Sequence, residues 1–186
     1  MIRRIMVLLA VVFVVVGGVA GGALAKPKLN EHDKAFLAQA HRSNLAEIQA
    51  AQLAEKKSSD QSIQAIARKL VADHTQLDSQ IKQTAEKVGV KLPEKPGSKQ
   101  TSGLEKLSKL NGAAFNSAWV RTQIAGHRQF LANINKELRE GSSPEVKKLA
   151  SDAKPVIQGH LDLLQQIHGG GKSPHTAPPH GVTPTR

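Results

Sequence analysis

The chain has 186 residues and a formal charge of +11, with no cysteine, no tyrosine, one tryptophan and only 3% aromatic residues beside 39% hydrophobic ones. Lacking thiols, it can form no disulfide, iron–sulfur cluster, thiolate metal site or cysteine nucleophile. Its many Ala, Leu, Gln and Lys residues favour helix over sheet, so one all-α domain of ordinary size is expected.

Residues 1–25 read MIRRIMVLLAVVFVVVGGVAGGALA. Arg3 and Arg4 precede an apolar run from Ile5 to Val16, and Ala23-Leu24-Ala25 forms a small-x-small site, so a signal peptide cleaved after Ala25 is expected. The alternative is an uncleaved anchor, because about 20 apolar residues span a bilayer. Both readings put the domain outside the cytoplasm, in the periplasm or cell envelope. There the positive charge points to anionic lipids or acidic envelope polymers as partners and not to nucleic acid, with the membrane touched peripherally or through the N-terminal segment. A solvated Lys-rich helix surface is the favoured account of the charge, since no recognition motif or aromatic stacking set accompanies it.

Four long helical patterns follow, in a domain placed at residues 30–168. The first runs from Asp33, a candidate N-cap, to Lys57, and the second from about Asp60 to Val88, stopped by Gly89. The third starts after Asn111-Gly112 and continues to Glu140, and the fourth opens at Ser143-Pro144-Glu145 and closes at HGGG, residues His168 to Gly171. Short turns join the first helix to the second and the third to the fourth. The stretch from Val90 to Gly112, with a helical piece around Leu104, Leu107 and Leu110, is long enough to run back along the molecule. This is the one-crossover topology of a ferritin-like four-helix bundle. Residues 169–186, rich in Gly, Pro and His, read as a disordered tail in which His175 and His180 belong to a solvated linker.

Each long helix carries an ionisable residue inside its apolar stripe. His74 interrupts Ile63, Ala67, Leu70, Leu77, Ile81 and Ala85, His127 falls between Ile124 and Leu131, and His160 between Ile157 and Leu164. In the first helix Glu47, beside Asn44, shares the sector of Leu37, Ala40, Ala51 and Ala54. Counted from the tight turns at about 1.5 Å per residue, the four lie within roughly 6 Å of one height. Two arrangements satisfy them: one transition-metal ion (Zn, Mn, Fe or Cu) held by Glu47, His74, His127 and His160, or a metal-free hydrogen-bonded network. Asp73 and Asp78 flank His74 and are expected mainly in solvent, with an orienting role toward an imidazole as the alternative. Asn116 and Gln123 are expected in core hydrogen bonds or helix capping, His41 lies at the edge of the first stripe and His32 before its start, and Pro155 should bend the last helix.

The segments EIQAAQLA, ARKLVADHTQ, FNSAWV followed by Gly126-His127, and KPVIQGHL together resemble the exported bacterial family known as domain of unknown function 4142. The resemblance implies a ferritin-like four-helix bundle in a bacterial envelope and carries no established reaction. The family usually has Asp where this chain has Asn116. Di-iron chemistry of the ferritin-like kind is not expected, since such sites use Glu-x-x-His and here Val71, Ile124 and Ile157 stand three residues before the histidines. No nucleophile–base pair, phosphate loop or nucleotide fingerprint is present, so a non-enzymatic role in metal handling or envelope stress is favoured. The alternatives are a structural or interaction module with a basic surface and, third, a metal-dependent oxidoreductase.

Overall fold

The computed structural model describes residues 28–169, so the signal or anchor reading of residues 1–25 and nearly all of the tail lie outside the described residues. The described residues form five helices and no strand: α1 (Glu31–Lys57), α2 (Gln61–Val88), α3 (Ser98–Ser108), α4 (Gly112–Glu140) and α5 (Pro144–His168). α1 packs on α2 and α4, α5 packs on those same two helices, and α3 lies against α1 and α4.

Local chemistry sets the boundaries. α1 starts two residues before Asp33, because Asn30 is the cap. Asn30 Oδ1 accepts from the Asp33 amide at 2.9 Å and Asp33 Oδ2 accepts from the Asn30 amide at 2.7 Å, a reciprocal capping box. Asp33 is thereby turned inward. Its Oδ1 also accepts the amides of Ser142 and Ser143 at 3.0 and 3.1 Å, and its Oδ2 the Ser142 hydroxyl at 2.8 Å. One carboxylate thus ties the start of α1 to the α4–α5 turn. Asp60 caps α2 through the amides of Ser62 and Ile63, and Gly89 ends it at φ 76°, a left-handed conformation that costs glycine nothing. Ser143 caps α5, with Pro144 in the first turn where no amide donor is needed.

The core falls into two apolar parts. One gathers Leu37, Leu77, Ile81, Phe130, Ile134 and Ile157, the other Leu70, Phe115, Trp119, Ile124, Leu161 and Leu164. Each such side chain contributes about 1.5–3 kcal/mol by leaving water. The indole of Trp119 donates to the Ala50 carbonyl at 2.9 Å, joining α4 to α1. Along α2, α4 and α5 the residues between the two parts are His74, His127 and His160, so a polar layer divides the core.

Candidate metal centre

The three histidines come from three helices and meet. Their ring centroids form a nearly equilateral triangle with sides of 5.2–5.4 Å, and their exposures are 0%, 1% and 0% for His74, His127 and His160.

Each ring has one nitrogen tied to an acceptor. His74 Nδ1 lies 2.9 Å from Asn44 Oδ1, and Asn44 is oriented by donating its amide to the Ala40 carbonyl at 2.9 Å. His127 Nδ1 lies 2.9 Å from the Gln123 carbonyl, and His160 Nε2 lies 2.7 Å from Asp73 Oδ2. Because all three partners accept, the proton of each ring sits on the tied nitrogen. What remains is a lone pair on His74 Nε2, His127 Nε2 and His160 Nδ1.

Burial holds these rings neutral. It pushes His74 well below the ordinary imidazole range, assisted by the neighbouring His127 and His160. It lowers His127 to about 4 although the Gln123 carbonyl opposes it, and it lowers His160 against the pull of Asp73. Two neutral nitrogens with outward lone pairs, His74 Nε2 and His127 Nε2, therefore face each other at 3.4 Å, and neither has a proton to offer the other. His160 Nδ1 is buried with no protein partner. One ligand atom from each histidine lies within 4.8 Å of the others. A tetrahedral ion with bonds of about 2.0–2.1 Å sets its ligands roughly 3.3 Å apart, so the His74–His127 edge already has that length. The other edges close to it with at most about 1.5 Å of side-chain movement.

The sequence matches the family "Domain of unknown function (DUF4142)" over residues 19–167. The chain belongs to that family. No curated protein matches it. Among solved structures it is similar to a DUF305 fragment from Deinococcus radiodurans, with a TM-score of 0.69 and 15% sequence identity, over 77% of this chain and 99% of that one. At that identity the likeness concerns the fold alone.

Of the four residues expected to converge, Glu47 does not join the other three. Its carboxyl rests against α4, where a Cβ on Gly126 would stand 2.7 Å from Glu47 Oε1. The residue as a whole is half-buried, yet its Oε2 is shut off from solvent without a hydrogen-bond partner. Burial raises its pKa to about 8, opposed by the Gln123 side chain, so the group is protonated at neutral pH and a poor ligand. The reason for the displacement is axial height. His74 is fourteen residues past Asp60, and the residue fourteen before Ser58 is Asn44, not Glu47. Three residues amount to about 4.5 Å along the axis. Asn44 is level with His74 and meets it.

The aspartates expected mainly in solvent are held in the fold as well. Asp73 orients His160 across the α2–α5 interface, and the hydrogen bonds of Lys69 and His160 outweigh burial to keep its carboxylate below the usual range. Asp78 is buried, with Oδ1 2.6 Å from His41 Nδ1 and Oδ2 2.7 Å from Lys82 Nζ. The only sequence signal for Asp73 was its place beside His74, which does not tell which imidazole it reaches. Asn116 lies outside the centre, half-buried on α4 with its Oδ1 unpartnered. Gln123 is buried and serves the centre through its backbone carbonyl.

Proposed function

We propose that this protein binds one transition-metal ion through His74 Nε2, His127 Nε2 and His160 Nδ1, and that it handles metal in the bacterial envelope without catalysing a reaction of its own. The observation that carries this reading is the convergence of three bare imidazole lone pairs whose opposite nitrogens are each held by an amide oxygen, a backbone carbonyl or a carboxylate. Such outer bonds fix the ring and its tautomer and raise the basicity of the ligating nitrogen. A purely structural polar layer gains nothing from three unpaired acceptors pointed at one another; a cation satisfies all three at once.

With Glu47 outside, the donor set is all nitrogen. That favours zinc or copper, with iron behind and manganese, which prefers oxygen donors, disfavoured. Three protein ligands leave one position of a tetrahedral ion for water or a small anion. The ferritin-like four-helix reading belongs to this proposal, with the long connection containing α3 as its crossover. So does export, supported by the Arg-led apolar segment and Ala23-Leu24-Ala25. The charge of +11 supports peripheral contact with anionic envelope polymers.

The test uses untagged protein from Lys26 to Arg186. Bound metals are measured after purification, and melting is followed with Zn, Cu, Fe or Mn added to wild type and to His74→Ala. An ion at a hundred times its dissociation constant should stabilise the wild type by about 2.7 kcal/mol and leave the variant unmoved. Absence of any retained or stabilising metal, or an equal response of the variant, would overturn the reading.

A further inference from the structure

Two of the three histidines follow a glycine, and the two glycines stand in opposite surroundings. On the α1–α4 side the space beside Gly126 is filled by the Glu47 carboxyl. On the α2–α5 side a Cβ added to Gly159 would meet nothing within 4 Å. Gly159 opens onto a groove of about 570 Å³ between α2 and α5, whose lining includes Lys69, Asp73, Gln76 and His160.

The groove is wide enough for a hydrated ion. Liquid water takes about 30 Å³ per molecule, so a six-water shell needs roughly 200 Å³. At its inner end the side chain of Asp73 is 24% exposed while that of His160, which it holds, is 1% exposed. Asp73 Oδ2 is shared between His160 Nε2 at 2.7 Å and Lys69 Nζ at 2.8 Å, and Oδ1 bonds to neither group. The carboxylate thus touches both solvent and a ring of the centre, and its bond restrains His160 at the inner side of the groove.

We propose that this groove is the route by which the metal ion reaches and leaves the three histidines, with Asp73 as the first protein ligand an incoming divalent ion meets. The proposal rests on the metal reading above and adds the direction of access. Passage requires the His160 ring to turn, and an ion drawn to the Asp73 carboxylate loosens the bond that restrains it. Glu47, packed on Gly126, closes the opposite side.

A route changes rates and leaves the equilibrium alone, which makes the proposal separable from the site itself. Gly159→Phe places a ring in the groove from an exposed α5 position, and Gln76→Trp narrows it from the exposed face of α2. Thr122→Trp, on the exposed face of α4, is the control. Metal-free protein is mixed with zinc(II) or copper(II), whichever the wild type retains, and association is followed by stopped flow. Dissociation is followed with an excess of chromogenic chelator. Both groove variants should slow association and dissociation together, by about tenfold or more, with the dissociation constant within about twofold of wild type and the control unchanged. If Gly159→Phe fails to fold, Gln76→Trp decides alone. Wild-type rates in the folded groove variants, or weaker affinity carried by faster release, would overturn the route while leaving the site standing. A wild type that binds neither ion overturns the metal reading and the route with it.

Discussion

Glu137 is the residue whose replacement tests the electrostatics of this fold most directly. It is fully buried on α4, and neither of its carboxyl oxygens has a hydrogen-bond donor from the rest of the protein. Burial raises its pKa to about 7, helped by the hydrogen bond and charge of Asp33 and opposed by Lys147. Asp33 is held down at about 2, because its backbone and side-chain donors, Asn30, Ser143, Ser142 and Glu137, outweigh its burial. Glu137 therefore keeps its proton in the folded state, where the Asp33 charge beside it favours the neutral acid. In the unfolded chain the same group titrates near its ordinary value of 4.5. Between pH 4.5 and about 7 the folded protein holds the extra proton, so its stabilising contribution is complete below 4.5 and is lost as pH rises through 7. At 1.36 kcal/mol per pH unit the difference is worth about 3 kcal/mol, which partial screening at the Lys147 side lowers to about 1–2 kcal/mol. Glu137→Gln keeps a neutral side chain beside Asp33 and removes the titration. Urea unfolding at pH 5, 6, 7 and 8 should show wild type losing about 1–2 kcal/mol more across this range than the variant does. The same slope in both proteins would refute the account of a proton retained by Glu137. Glu47, raised to about 8, adds a slope of the same sign in the same window, so the variant should flatten the profile only in part.

Three further outcomes follow from the geometry. Asp33→Asn exchanges a charged acceptor of four hydrogen bonds for an amide that can serve only some of them, and should lower unfolding stability at pH 7 by about 2–4 kcal/mol in urea titration. Asn44→Leu removes the acceptor that fixes the His74 tautomer, and direct titration should show metal affinity reduced about 10–100-fold with the helical far-ultraviolet spectrum unchanged. Glu47→Gln removes a carboxyl that stands apart from the three histidines, so metal affinity should stay within about twofold of wild type; a loss like that of His74→Ala would restore Glu47 to the ligand set.

The boundaries of α2 and α5 were legible because each rests on residues near in sequence: Asp60 and Gly89 for α2, Ser143 and Pro144 for α5; α4 takes in Gly112 as well, and its cap Asn111 makes no side-chain bond to mark the place. The start of α1 was misplaced for the same kind of local reason. Asn30 and Asp33 are both good caps, and only their reciprocal bonding shows which one stands outside the helix. The inward histidines were legible too, since a helix turns about 100° per residue and a single imidazole in an apolar stripe is conspicuous. Glu137 and Asp33 were not, because they sit at the end of the molecule where the stripe fades. Their burial comes from a contact made across more than a hundred residues.

Periodicity and capping thus decide which residues are helical and which face each helix buries, because both depend on neighbours within one or two turns. Whether two inward side chains touch depends on the relative height of helices that the chain brings together from far apart. A slip of one turn, about 5.4 Å, is longer than a hydrogen bond or a metal–ligand bond. That is why three histidines could be foreseen on buried faces, while the exchange of Glu47 for Asn44, the reach of Asp73 to His160 instead of His74, and the open side at Gly159 emerged only when the helices were packed.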